Sequence, residues 1–320
     1  MLRLHCTAED LLHVTFAAQP APLMEMVMAL AALQRTDLPS SIGRWQRQAT
    51  ETLPPSARPL LELVTSTGRG PLFLDFLTSG VDEGIDLVRA ASASFVRSEL
   101  QRVCAPSPPS LWIRSLADQD QQAWSVLLQA ISAAHGSLLG PHWKRLIYGF
   151  DAERAWRVRL MAEQGIQSAI TSLAPGARWL GTTVEFDAPY DRDVVFDGEG
   201  LVLLPSMFWR GWPLLAARPD TAKVLVYPAM VPFPLLGNQP ATDSLAVLLG
   251  RTRAAALEVL ARQCTTSDLA RELGISKSSA SEHAKALRDA RLISTTRDGK
   301  AVWHSCTPLG VDLLTATTHR

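Results

Sequence analysis

One short stretch of the chain, residues 276–288, combines small hydroxyl groups, cations and an imidazole. Ala280, Ala284 and Leu287 fall at i, i+4 and i+7, so on a helix they share one face and should pack inward. Hydroxyls and cations on the opposite face suit base edges, and a helix N-terminus offers free N–H groups to a phosphate. The stretch therefore predicts a helix that docks in the major groove of duplex DNA. Its candidate DNA-binding residues are Ser276, Lys277, Ser278, Ser279, Ser281, Glu282, His283, Lys285 and Arg288.

A first helix and a tight turn should position this second helix. Thr265 and Asp268 have the three-residue spacing of a capping box, with Asp in place of the usual Glu. Gly274 lies just past the end of that first helix, where a left-handed residue is favoured. Ser276 can then cap the second helix. The pattern indicates a helix-turn-helix.

A hairpin is predicted after the second helix. The segments Leu292 to Arg297 and Lys300 to Cys306 flank Asp298-Gly299, a dipeptide that favours a two-residue type I′ turn. Arg297 and Lys300 bracket the tip and are candidates for contacts to the DNA backbone or minor groove. Thr307-Pro308 then opens a closing helix. This order of elements is that of a winged helix-turn-helix.

The segment resembles the DNA-binding domain of ArsR-type transcriptional regulators. The resemblance rests on GRTRAAALEVL, TTSDLARELGISKSSASEHAKALRDARLI and RDGKAVWHSCTPLG, with Ser281 and His283 in the Ser-x-His positions of the family signature. It covers about residues 245–316. Ala284 stands where the family usually has leucine, and Arg291 where it usually has glycine. A left-handed Arg291 would cost about 1 kcal/mol.

The resemblance implies a transcription regulator, a repressor by family precedent, that binds operator DNA as a homodimer. Two-fold symmetry would place two half-sites about one helical turn apart. Base-edge contacts are expected from Ser278, Ser281, Glu282 and Lys285. Phosphate contacts are expected from Lys277, His283, Arg288, Arg297 and Lys300.

The charge is distributed unevenly along a chain whose formal net charge is zero. Residues 245–320 carry 11 Lys and Arg against 7 Asp and Glu, and the other residues carry 20 against 24. The positive charge therefore lies in the segment with the helix-turn-helix. Four widely spaced cysteines indicate reduced thiols. The longest apolar stretch, Leu23 to Leu33, is too short to cross a bilayer, and we expect a cytoplasmic protein with no signal peptide.

The first 240 residues are predicted to form a separate α+β domain. Long helical patterns, including a very apolar helix from Leu23 to Gln34, precede short β-rich runs between residues 182 and 227. These runs suggest a small antiparallel sheet. Residues 230–240, rich in proline, are the candidate linker to a C-terminal domain at 241–320. The N-terminal part contains LHCTAEDLLHVTFAAQP, FLDFLT, GLVLLPSMFW and VLVYPA. In these segments it is similar to an uncharacterised N-terminal domain of actinobacterial ArsR-like regulators.

The sequence contains few features that would indicate a metal site or an enzyme. His304 and Cys306 share one strand face, but a third ligand is not evident. The acidic residues between 187 and 199 lack the spacing of an EF-hand. They are interpreted as a solvated edge of strands and turns. Phosphate-loop, dinucleotide-binding, nucleophile-elbow and zinc-protease motifs are missing. We therefore expect no enzyme, no metal and no cofactor.

The role of the N-terminal domain stays open between two hypotheses. Its size and its tryptophans suit a pocket for a small-molecule effector, although core packing is the more ordinary use of tryptophan. The second hypothesis is a purely structural or partner-binding domain that extends the dimer. The alternative for the whole chain is a winged-helix protein whose helix-turn-helix serves dimerisation or partner binding, with a small-molecule-binding N-terminal domain.

Overall fold

The computed structural model describes residues 1–38, 40–105, 108–196, 198, 200–217, 222–230, 242–298 and 301–316. The chain divides into two compact units. The N-terminal unit comprises residues 1–150 and 154–229, and the C-terminal unit comprises residues 151–153 and 230–320. The domain boundary predicted at residue 240 lies outside the described residues and stays a prediction.

The N-terminal unit is mainly helical. Several helices begin at a local cap: Thr7 forms the predicted capping box with Asp10, and Ser92, Ser110 and Asp120 accept backbone N–H groups three residues on. The helices are α1 (Ala8–Leu12), α2 (Pro22–Leu33), α3 (Ser40–Thr52), α4 (Leu60–Leu63), α5 (Val81–Arg89), α6 (Ala93–Cys104), α7 (Leu111–Ala117), α8 (Gln121–Ala134) and α9 (Trp143–Thr171).

The strands of this unit, within its described residues, form two sheets of four strands each. The strands are β1 (Leu2–His5), β2 (Val14–Phe16), β3 (Arg178–Leu180), β4 (Thr183–Phe186), β5 (Arg192–Val195), β6 (Leu201–Ser206), β7 (Leu214–Ala216) and β8 (Lys223–Pro228). One sheet has the order β3-β4-β1-β5 and the other β2-β6-β8-β7.

The α+β class is confirmed, because the unit combines many helices with two sheets. The predicted antiparallel arrangement is wrong, because both sheets are mixed. β1 pairs antiparallel with β4 and parallel with β5, while β2, β6 and β8 run parallel. Parallel neighbours need a long crossover connection. The helical block between β2 and β3 lies within the connections from β1 to β5 and from β2 to β6. Side chains from both sheets share one apolar core, which includes Leu4, Phe186, Leu203, Leu225 and Tyr227.

The predicted acidic edge carries ion pairs. Arg3 lies 3.2 Å from Asp193 and 3.6 Å from Asp191, and His5 Nε2 lies 3.0 Å from the Asp193 carboxylate. Asp197 and Glu199 fall outside the described residues. No group of three or more His, Cys, Asp or Glu side chains in the described ranges is arranged to hold a metal ion.

Helix α2 is the buried centre of the helical block, as its composition predicts. Pro22 through Ala32 are all buried, and Glu25 is 5% exposed among them. Glu25 Oε1 accepts hydrogen bonds from the backbone N–H groups of Met207, at 2.6 Å, and Phe208, at 3.2 Å. Burial raises the pKa of Glu25 from its ordinary 4.5 to about 7, although Ser206 and these N–H groups favour the charged form. One carboxyl group thus ties α2 to the loop after β6.

Glu25 should make stability depend on pH. Because its folded pKa is raised, its contribution is full below about pH 4.5 and is lost as pH rises through about 7. Glu25→Gln keeps an acceptor oxygen and does not titrate. Its free energy of unfolding should therefore exceed that of the parent by an amount that grows over this window, up to about 3 kcal/mol.

Urea denaturation of both proteins at pH 5 and pH 8 measures the difference. Glu25→Ala is the contrasting variant. It leaves two buried N–H groups without an acceptor and should be destabilised at both pH values, by about 1–3 kcal/mol per group. Parallel pH profiles for the parent and the glutamine variant would show that Glu25 does not titrate in this range.

The C-terminal unit packs short helices and a small sheet around one core. Its elements are α10 (Thr242–Leu249), α11 (Arg251–Val259), β9 (Cys264–Thr265), α12 (Thr266–Leu273), α13 (Lys277–Asp289), β10 (Ile293–Asp298), β11 (Ala301–Cys306) and α14 (Pro308–Ala316). The described strands follow the order β10-β11-β9. None of the helices in the described ranges has the length and apolar character needed to span a bilayer.

Candidate nucleic-acid interface

The first helix of the motif, α12, begins at the predicted capping box. The backbone N–H of Asp268 donates to Thr265 Oγ1 at 3.2 Å, and the Thr265 hydroxyl donates to the Asp268 carboxylate at 2.6 Å. The Thr265 hydroxyl and the Thr265 backbone N–H, the latter at 3.3 Å, both donate to this carboxylate and hold the pKa of Asp268 below its ordinary value. The helix ends at Gly274, which has φ +63° as predicted. The start and the end of α12 are therefore fixed by chemistry local to the sequence.

Helix α13 begins at Ser276, which is confirmed as its N-cap. The Ser276 Oγ accepts the backbone N–H of Ser279 at 3.1 Å and lies 2.8 Å from Ser278 Oγ and 3.0 Å from Ser279 Oγ. The hydroxyls of Ser278 and Ser279 thus both contact the Ser276 hydroxyl at the cap. Ser276, which accepts the backbone N–H, positions the start of the helix.

The opposite faces of α13 separate as predicted. Ala280, Ala284 and Leu287 are each at most 1% exposed and belong to the apolar core of the unit. Ser279 and His283 are half-buried at the edges of the polar face. The exposed side chains of the helix include Lys277, Ser278, Ser281, Glu282, Lys285 and Arg288. The structure thus brings these candidate contacts onto one solvent-facing surface.

The hairpin follows α13, and its two strands pair from Ile293 with Cys306 to Asp298 with Ala301. Arg297 is exposed on β10, near the tip. Lys300 and the predicted turn residue Gly299 lie outside the described residues, so their placement stays a prediction. The closing helix is capped by Thr307, whose Oγ1 accepts the N–H of Gly310 at 3.2 Å.

His304 joins the first helix of the motif to the hairpin. It is 4% exposed, and its Nε2 and Nδ1 lie 2.9 Å from the hydroxyls of Thr266 and Thr295 respectively. Burial lowers the pKa of His304, so the neutral ring is favoured. Both ring nitrogens therefore have hydrogen-bond partners, and the ring is fixed between α12 and β10.

The two cysteines of this unit are buried in its core. Cys264 and Cys306 are free thiols at 6% and 8% exposure. Burial raises the pKa of Cys306 to about 12, which keeps it protonated. Both therefore act as small apolar side chains, as expected.

Sequence reasoning missed a concavity beside the hairpin. It has a volume of about 400 Å³ and is lined by Gln263, Thr296, Arg297 and Trp303. The sequence contains a signal for its outward-facing tryptophan. Side chains alternate across a strand, so a buried His304 requires Trp303 to face outward. Only Arg297 was among the predicted contacts.

Arg291, after α13, adopts the left-handed conformation with φ +59°. The sequence predicts a cost of about 1 kcal/mol for a side chain in this conformation. Its carbonyl accepts the Thr307 hydroxyl at 2.6 Å, and the N–H of the next residue, Leu292, donates to the Leu287 carbonyl at 2.9 Å. The backbone around Arg291 is therefore held in place by hydrogen bonds on both sides.

Arg291→Gly should stabilise the protein by about 1 kcal/mol, since glycine adopts this conformation without strain. The matched control is Gly274→Ala, at φ +63° with open space around the added methyl group, which should destabilise by a similar amount. Urea denaturation of the full chain measures both changes. A destabilised Arg291→Gly protein would mean that the arginine side chain makes a stabilising interaction that outweighs the strain.

These elements define a winged helix-turn-helix: two capped helices joined by a tight turn, then a two-stranded hairpin. Residues 251–295 match the family model for bacterial regulatory proteins of the arsR family. The match runs from α11 through α13 into β10, so the C-terminal unit carries an ArsR-type DNA-binding domain, of the kind found in transcription regulators. No curated protein and no solved structure matches the chain.

Proposed function

We propose that this chain is a cytoplasmic transcription regulator, a repressor and not an enzyme, that binds operator DNA as a homodimer. One observation carries the proposal: the exposed polar face of α13 in a segment that matches the arsR family. In this proposal α13 lies in the major groove, with Ser278, Ser281, Glu282 and Lys285 at base edges. Lys277, His283, Arg288, Arg297 and Lys300 contact phosphates.

Lys285→Ala should lose sequence discrimination. Lys285 is exposed in the third turn of α13, and a base-edge contact contributes about 1–3 kcal/mol of discrimination. A duplex is first recovered by selection from a random library with the full chain. Fluorescence anisotropy at two salt concentrations then compares this duplex with an unrelated one.

The matched control is Lys144→Ala, an exposed lysine on α9 in the N-terminal unit, which should bind as the parent does. A Lys285→Ala protein with unchanged preference for the selected duplex would contradict the base-edge role. Failure of the parent to bind any duplex at either salt concentration would favour the alternative, in which the helix-turn-helix serves dimerisation or partner binding.

The homodimer is supported by exposed apolar side chains on α10. Val247 is 90% exposed and its neighbour Leu248 is 68% exposed, although Leu245 on the same helix is fully buried. Adjacent apolar side chains in water favour burial against a partner surface. A second copy of α10 is a partner that also provides the two-fold symmetry proposed for the operator.

Val247→Glu combined with Leu248→Glu should shift the protein from dimer to monomer, because the charges would be buried in the contact. Light scattering during size-exclusion chromatography gives the mass, with 34.9 kDa for one chain. Leu111→Glu, at a 78% exposed position on α7, is the matched control and should leave the mass unchanged. A parent protein that is monomeric at every concentration tested would refute the dimer.

A small-molecule effector is supported by a second concavity, in the N-terminal unit. It measures about 220 Å³ and lies where three loops meet, lined by Gln34, Arg35, Thr36, Asp37, Ser66, Thr67 and Trp212. Arg35 pairs with Asp37 at 2.7 Å and lies 5.1 Å from the Trp209 ring centre. The concavity therefore suits a small polar ligand. The same anisotropy titration, run with a panel of small polar metabolites, detects a ligand that alters DNA affinity.

A further inference from the structure

The concavity beside the hairpin lies on the outward face of the small sheet. Trp303 is on the central strand β11, directly opposite Thr296 of β10 on one side and Thr265 of β9 on the other. Because His304 points into the core, Trp303 and Thr296 point away from it. Gln263 lies just before β9, so the sheet itself brings the lining residues together.

The lining side chains supply hydrogen-bond donors. They are the Arg297 guanidinium, the Gln263 amide, the Thr296 hydroxyl and the Trp303 indole N–H. Within the described part of the chain, none of the four side chains has a hydrogen-bond or ion-pair partner, and none of the four is acidic. A concave surface with donors and one uncompensated positive charge favours an anion with several acceptor oxygens.

The concavity in the N-terminal unit differs from this one in the pairing of its arginine. There the guanidinium of Arg35 already makes two hydrogen bonds to Asp37, at 2.8 and 2.7 Å. That charge is compensated within the protein, whereas the charge of Arg297 is available to a ligand.

The volume leaves room for more than a phosphate group. At about 30 Å³ per water molecule, 400 Å³ corresponds to on the order of a dozen waters. Trp303 is half-buried, and its aromatic ring lines the concavity, where it can contact a sugar or base. A phosphate with its attached deoxyribose satisfies both the donors and the ring.

We propose that this concavity binds a nucleotide unit through its phosphate, and that the unit belongs to the backbone of the DNA read by α13. This inference rests on the proposed function, because the phosphate comes from the operator DNA that the protein is proposed to bind. It adds Gln263, Thr296 and Trp303 to Arg297 as positioning contacts that carry no base specificity.

The test compares Gln263→Ala, Trp303→Ala and Arg297→Ala in the full chain, by anisotropy with the selected and unrelated duplexes across a salt series. Gln263→Ala and Trp303→Ala should each weaken binding to both duplexes about twofold to tenfold, as expected for loss of one net contact. Arg297→Ala should also reduce the slope of log affinity against log salt by roughly 0.9, the value for one phosphate.

The controls separate contact from folding. Ser294→Ala, on the same hairpin but not lining the concavity, should bind as the parent does. Trp303→Phe keeps an aromatic ring and should retain most of the affinity that Trp303→Ala loses. Gln263 is exposed, so its variant tests the proposal even if Trp303→Ala fails to fold.

Parent affinity in both Gln263→Ala and Trp303→Ala would overturn the proposal, even if Arg297→Ala binds more weakly. If the parent binds no duplex, the proposed function fails, and calorimetric titration with deoxyadenosine monophosphate then tests the concavity alone. Saturable binding that Gln263→Ala loses would support a nucleotide site that takes free nucleotide. Absence of that binding would overturn the inference.

Discussion

The packing of α13 on the core of the C-terminal unit is the interaction on which the proposed interface depends. Its inner face offers Ala280, Ala284 and Leu287. A buried leucine contributes about 1.5–3 kcal/mol, whereas each alanine offers only a methyl group, worth roughly 0.8 kcal/mol. The Ser276 cap, at about 1 kcal/mol, is therefore comparable with the alanine contacts. A helix with so small an apolar face relies on its ends to hold its polar face in one orientation.

The hairpin must keep a fixed relation to that helix if both are to contact one duplex, and His304 provides part of it. Neutral imidazole has one donor and one acceptor nitrogen, so its bonds to Thr266 and Thr295 run in opposite senses. The ring thus links the start of α12 to β10 through a buried pair of hydrogen bonds. Two hydroxyls and an imidazole, with no formal charge, avoid the desolvation cost of a buried ion pair.

The parts of the fold that the sequence predicted are those decided by neighbours three or four residues apart. The Thr265 capping box, left-handed Gly274, the Ser276 cap and the inward alanines all follow from such spacing. The N-terminal sheets were not predictable in this way, because β1 and β2 pair with strands formed near the other end of the unit. Glu25 has no local signal either: its backbone partner Met207 lies 182 residues further along the chain.

The zero net charge of the chain makes the arrangement of a few cations decisive. Among its described residues, the proposed interface offers Lys277, Lys285, Arg288 and Arg297 as exposed cations, and Glu282 lies among the first three. Each phosphate that such a cation neutralises contributes about 0.9 to the salt dependence of duplex affinity. Because each subunit has few cationic contacts to phosphate, uncharged donors that bind the same DNA backbone supply a larger share of the affinity than they would on a strongly basic protein. The proposed nucleotide-binding concavity is physically reasonable for that reason, since three of the four side chains described in its lining are uncharged.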